Sequence, residues 1–99
     1  MVRRNVVWSS KARIKLLDIL DYYNKRNKSS AYSNKIYKKF TKELALLKKH
    51  PGIGLKTDDD DIRGLIVENF ILFYETRPKI IIVHTVWDCR QNPESLIIK

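Results

Sequence analysis

The chain has 99 residues, of which 20 are Lys or Arg and 11 are Asp or Glu, for a net charge of +9. With 43% hydrophobic residues it can close one modest core, which excludes a charged disordered tail and leaves no room for a second domain. So basic a surface favours an anionic partner, whether nucleic acid, an acidic protein or a membrane surface, and does not choose among them.

The segment 3–8, "RRNVVW", is β-branched and aromatic and predicts a strand. Ser9 or Ser10 then offers an N-cap for a long helix. Ala12, Leu16, Ile19, Leu20 and Tyr23 recur at helical spacing on one face, opposite Lys11, Lys15, Asp18 and Lys25. "NKRNKSS" (24–30) interrupts that stripe as a polar loop, and Ser29 or Ser30 can cap a second helix. Its apolar face is expected to be Ile36, Tyr37, Phe40, Leu44 and Leu47, and "HPGIG" stops it at Pro51, Gly52 and Gly54. Two amphipathic helices joined in this way form an αα-hairpin.

The apolar period then changes. "DIRGLIV" (61–67), "NFILFYE" (69–75) and "KIIIVHTVWD" (79–88) read as three strands, joined by tight turns at 68–69 and 76–78. Links this short require an antiparallel meander. The N-terminal strand needs a partner and is expected at one edge, giving a four-stranded sheet covered on one face by the helices, an α+β fold in a single domain over residues 1–99. Asn92, Pro93 and Glu94 fit the start of a short C-terminal helix.

Cys89 is the single cysteine, so no internal disulfide can form, which suits a reducing cytoplasm. No neighbouring base marks it as a nucleophile, and plain packing is the better reading. The N-terminus lacks the apolar stretch of a signal peptide, and "IIIV" at 80–83 falls far short of the roughly 20 apolar residues of a membrane span. A cytoplasmic protein without membrane attachment is expected.

Arg63 interrupts an apolar strand and Arg90 follows the last one. If both reach the open face of the sheet, the two guanidiniums make a phosphodiester clamp, since each offers a bidentate fork and keeps its charge. Lys56 adds a third cation from the preceding loop, and Lys48 and Lys49, at the end of the second helix, are the nearest candidates for backbone contacts to nucleic acid. The plainer reading is that Arg63 pairs with one of Asp58 to Asp61. Those aspartates are adjacent on a loop, point apart and lack a histidine to complete a metal shell, so a solvated acidic loop is expected and no metal or cofactor. His50 and His84 have no ligand spacing and read as structural. Asp88 is placed to orient Arg90.

The blocks "VVWS", "LLDILDYYNKRN", "PGIG", "DIRGLIVENFILFYE" and "IIIVHTVWDCRQNPESL", in that order, resemble the RelE/ParE family of bacterial toxins. The resemblance implies the fold derived above and one half of a toxin–antitoxin pair, in which a cognate antitoxin binds the basic protein and restrains it. RelE-like members enter the ribosome and cut messenger RNA. The resemblance then makes Arg63 and Arg90 catalytic and Lys56 a looser match, with a ribose 2′-hydroxyl attacking the adjacent phosphate. ParE-like members inhibit DNA gyrase and need no nuclease site. After Arg90 this chain has no Tyr or His; Leu96 stands in the tail where an acid–base residue would serve. General acid–base catalysis contributes about 10²–10⁴-fold, so a nuclease here needs Tyr74, His84 or a lysine for proton transfer. The main expectation is a ribosome-dependent mRNA endonuclease acting with ribosome and mRNA. The alternatives are a gyrase inhibitor and a degenerate module that only binds antitoxin.

Overall fold

The computed structural model describes residues 4–89. In chain order they form β1 (Asn5–Trp8), α1 (Ser10–Asn27), α2 (Ala31–Leu47), β2 (Leu55–Lys56), β3 (Ile62–Val67), β4 (Phe70–Thr76) and β5 (Ile80–Asp88). The C-terminal helix expected from Asn92 onward and Arg90 itself lie outside the described residues.

The helical hairpin forms as its apolar period predicts. Ser9 caps α1, its hydroxyl accepting from the Ala12 N–H at 3.0 Å, which satisfies one of the backbone donors a helix start leaves open. Ala12, Leu16 and Tyr23 are buried on one face. The helix does not stop at the polar stretch expected to be a loop: it runs to Asn27, and Lys28, at φ 51°, turns the chain in the left-handed region where glycine is more usual. Ser30 stands at the start of α2 without a side-chain capping bond, while Ser29 Oγ accepts from the Ala31 N–H. The buried Ser33 hydroxyl joins the helices by bonding the Leu20 carbonyl and the Asn24 side chain. Ile36, Phe40, Leu44 and Leu47 are buried as expected, but Tyr37 is 49% exposed. It sits at the border of the stripe, and the neighbouring helix and sheet leave that side open.

The sheet has five strands, not four, in the order β1-β5-β4-β3-β2. The additional strand is only Leu55 and Lys56, paired antiparallel with Gly64 and Arg63. β3, β4 and β5 form the expected antiparallel meander, and β1 joins β5 at the edge in parallel. The β3–β4 turn is Glu68 and Asn69, with Glu68 at φ 57° and its carboxylate paired to Lys39 of α2. Between Phe73 and Tyr74 the ladder shifts: Phe73 faces Thr85 and Tyr74 faces Val83, so His84 is an extra residue on β5, a β-bulge.

Side-chain alternation divides the sheet. Leu65, Val67, Phe70, Leu72, Tyr74, Ile81, Val83 and Val86 face the helices and build one core with Leu16, Tyr23, Ile36, Phe40, Leu44 and Leu47. Phe70 centres it, meeting Phe40 edge to face at 5.3 Å between ring centroids and Tyr23 at 6.4 Å. On the other face Phe73 is buried by local packing over Gly64, whereas Ile66, Leu55 and Val7 are 56%, 61% and 43% exposed.

Candidate functional site

Arg63 shares the face of Leu65 and Val67, so its side chain lies on the helix-covered side of β3 and not on the open face where a clamp with Arg90 is expected. Its Nη1 donates to the Gly54 carbonyl at 2.9 Å. The same loop is held a second way: the Gly54 N–H donates to Tyr74 Oη at 3.0 Å, and that hydroxyl donates to the Pro51 carbonyl at 2.7 Å. Tyr74 is fully buried and pairs with Arg63 across the β3–β4 ladder. Burial pushes its phenol pKa up from the ordinary value, against the smaller downward pulls of the Gly54 N–H and the Arg63 charge. A side chain at position 54 would put its Cβ 2.5 Å from Tyr74 Oη, so glycine is required there by close approach. "PGIG" is thereby pinned to the sheet by two side chains, a backbone anchor built from a polar ring and a cation.

Lys48 and Lys49 precede this anchored loop in the chain and Lys56 follows it. Lys56 is the register partner of Arg63 and is exposed. Lys48 ends α2 half-buried and Lys49 follows it, exposed. The acidic loop does not supply Arg63 with a partner: among the described residues no salt bridge involves Asp58 to Asp61. That loop instead organises itself, the Asp61 N–H donating to Asp59 Oδ1 at 2.9 Å and the Thr57 hydroxyl bonding the Asp59 and Ile62 carbonyls. Among the described residues no three His, Cys, Asp or Glu side chains gather as a metal site would require.

Asp88 lies elsewhere. It pairs with Phe70, which in turn faces Val67, whereas Arg63 lies level with Tyr74 and Val83, so the two occupy opposite ends of the sheet. Asp88 Oδ2 accepts from Tyr23 Oη at 3.1 Å, a link between the end of β5 and α1, and both residues have further interactions. The sequence carries a signal for it: Tyr23 closes the α1 stripe with a hydroxyl that needs a partner when its ring is buried. Lys15, Asp18, Ile19, Tyr22, Tyr23, Arg26, Val86 and Asp88 line a cavity of about 520 Å³ there.

His84 Nε2 meets Glu75 Oε1 at 2.9 Å, and Glu75 Oε2 accepts from Arg77 Nε at 2.9 Å. These two bonds, Arg77 first and His84 second, hold the Glu75 carboxyl below the usual carboxylate range. Cys89 is exposed, yet desolvation of its sulfur and the Asp88 charge push its thiol pKa up, the reverse of nucleophile activation. His50 is exposed at the end of α2. Among the described residues no helix is long and apolar enough to cross a membrane.

A small basic protein with two helices on one face of a mostly antiparallel sheet, and a loop between α2 and β2 locked to that sheet, is an arrangement with known counterparts. The chain belongs to the family of ParE toxins of type II toxin–antitoxin (parDE) systems, whose profile matches residues 6–93. Among solved structures it is similar to a chain of the chromosomal ParDE toxin–antitoxin system from P. aeruginosa, with a TM-score of 0.72 and 19% sequence identity over 85% of this chain and 94% of that one. At such identity the likeness concerns the fold. No curated protein matches the sequence.

Proposed function

We propose that the chain acts as the growth-inhibiting member of a toxin–antitoxin pair, that a cognate antitoxin neutralises it, and that it inhibits DNA gyrase by binding, without cutting RNA. The observation that carries this reading is membership of the ParE family over residues 6–93, the branch in which no nuclease site is needed. Three groups a RelE-like nuclease would draw on support the same choice, because Tyr74, His84 and Arg63 are engaged in holding the fold. Tyr74 is buried with its hydroxyl bonded to Pro51 and Gly54, His84 is paired with Glu75, and Arg63 is turned to the Gly54 carbonyl. A general acid or base must come within hydrogen-bonding reach of substrate at a pKa near the working pH. A buried phenol with a raised pKa meets neither condition. The endonuclease reading, with mRNA and the ribosome as partners, loses Tyr74 on this count, finds His84 already paired with Glu75, and is left with a lysine for proton transfer.

On the gyrase reading the exposed lysines Lys49 and Lys56, with Lys48, belong to the surface that meets the target and have no catalytic duty. The direct test adds purified chain to gyrase and relaxed plasmid. Loss of supercoiling that added antitoxin reverses supports the reading. Unimpaired supercoiling at stoichiometric excess of a folded, growth-inhibiting chain overturns it.

A further inference from the structure

The solvent side of α2 carries positive charge that the fold does not use. Lys35, Lys38 and Lys42 are exposed. At 3.6 residues per turn they fall within an arc of about 60°, on the side away from the buried Ile36, Phe40, Leu44 and Leu47. Lys39, at the border of that arc, is paired with Glu68. Among the described residues no salt bridge engages the other three.

The acids of the described chain are placed elsewhere. Asp21 is held by Lys25, and Glu75 by Arg77 and His84. Asp18 and Asp88 line the cavity between α1 and β5 together with the cations Lys15 and Arg26. Asp58 to Asp61 lie on the loop between β2 and β3. Glu43 is the one acid on α2; it is half-buried and stands roughly a quarter turn from the nearest lysine of the row.

Such a row works against its own helix. Like charges at i, i+3 and i, i+4 repel, and the first turn of α2 has no acid to complement the helix dipole. A face kept only for solubility mixes both signs, as Asp21 and Lys25 do on α1. An unmixed row is what a polyanion requires. From Lys35 to Lys42 the helix rises about 10 Å, the axial reach of about three successive phosphates of one duplex strand. No aromatic residue falls within the arc, so the stacking platforms that hold single strands are missing from it. Leu46, 45% exposed, is the one large apolar side chain on this side, too little for the apolar centre of a protein interface.

We propose that the chain binds double-stranded DNA directly, without sequence preference, through the phosphates that meet Lys35, Lys38 and Lys42 on α2. This is a binding site additional to any contact with a protein target, and it holds whatever that target is.

The test measures anisotropy of a labelled mixed-sequence duplex of about 20 base pairs as the full chain is added, in about 50–200 mM salt. Neither gyrase nor antitoxin takes part, so the result does not depend on the reading above. Lys35→Gln/Lys38→Gln/Lys42→Gln is compared with Lys11→Gln/Lys15→Gln/Lys79→Gln, which removes equal charge from exposed sites off α2. Helix content and melting temperature are checked for both. The α2 variant should lose about tenfold or more in affinity at the lowest salt, and its slope of log K against log salt should be shallower than wild type by about 2–3. The other variant should change the slope by less than about 1. Equal losses in the two variants would mean that net charge alone is read, and would overturn the proposal. So would absence of duplex binding at the lowest salt, or tighter binding to a single strand or to polyglutamate of the same length.

Discussion

The hydroxyl of Tyr74 fills the space that a side chain at residue 54 would need: a Cβ there would lie 2.5 Å from Oη and 2.7 Å from Cε1. Ring and glycine are thus fitted to each other, and the loop between α2 and β2 keeps its place only while both are present. Gly54→Ala should cost about 1–3 kcal/mol, the range for overpacking a well-filled site, because the obstructing ring is itself fully buried and cannot swing aside. Urea unfolding measures this. A change within about 0.5 kcal/mol, the range of an ordinary surface substitution, would contradict the fit.

Tyr74→Phe keeps the ring and removes the hydroxyl, leaving the Gly54 N–H and the Pro51 carbonyl without that partner. A buried donor left unsatisfied costs about 1–3 kcal/mol. The same substitution changes the alkaline limb of stability. The folded phenol titrates above its ordinary value of 10.0, so its contribution is fully present below pH 10.0 and is lost as pH rises through the folded pKa. Wild type should therefore lose stability more steeply than Tyr74→Phe above pH 10.0. Parallel curves would mean that the phenol is not buried as described.

Glu75 behaves in the opposite sense. Arg77 and His84 hold its folded pKa below the ordinary value of 4.5, so its contribution is present above pH 4.5 and is lost as pH falls through the folded pKa. Glu75→Gln should flatten the stability curve on the acid side of pH 4.5, and denaturant midpoints taken at several acid pH values would show it. The effect should be small, because the Arg77 side chain is 54% exposed and solvent screens the pair.

Arg63 offers a way to separate structure from target contact. Its bond to the Gly54 carbonyl predicts that Arg63→Ala lowers stability by about 1–2 kcal/mol through the loop anchor. Lys56→Ala, at its exposed neighbour in the ladder, should leave the unfolding midpoint unchanged. If the lysines form the target surface, Lys56→Ala combined with Lys49→Ala should weaken growth inhibition in a protein that melts like wild type. Full toxicity in that double variant would remove the lysines from the account.

The architecture was readable where periods are long. Eighteen residues of α1 and seventeen of α2 repeat an apolar stripe often enough to fix a face, and three apolar runs with two-to-three-residue links leave little but a meander. β2 was not readable, since two residues hold no period and their pairing is a backbone match to Gly64 and Arg63. The run of aspartates beside Arg63 pointed to a charge pair, but the guanidinium found a carbonyl nine residues back along the chain, an acceptor that composition does not reveal. Tyr74 and His84 looked like spare acid–base groups for a similar reason. Their commitments, to the Pro51–Gly54 loop and to Glu75 beside a β-bulge, exist only once the strands are in register.

The measurement that tests the central claim most directly is pulse labelling after the chain is induced without its antitoxin, following DNA and protein synthesis separately. A binding inhibitor of gyrase predicts early arrest of DNA synthesis while translation continues and transcripts stay whole. Early arrest of translation with cut transcripts would contradict it, and would mean that a nuclease works here with a proton-transfer group other than Tyr74 or His84.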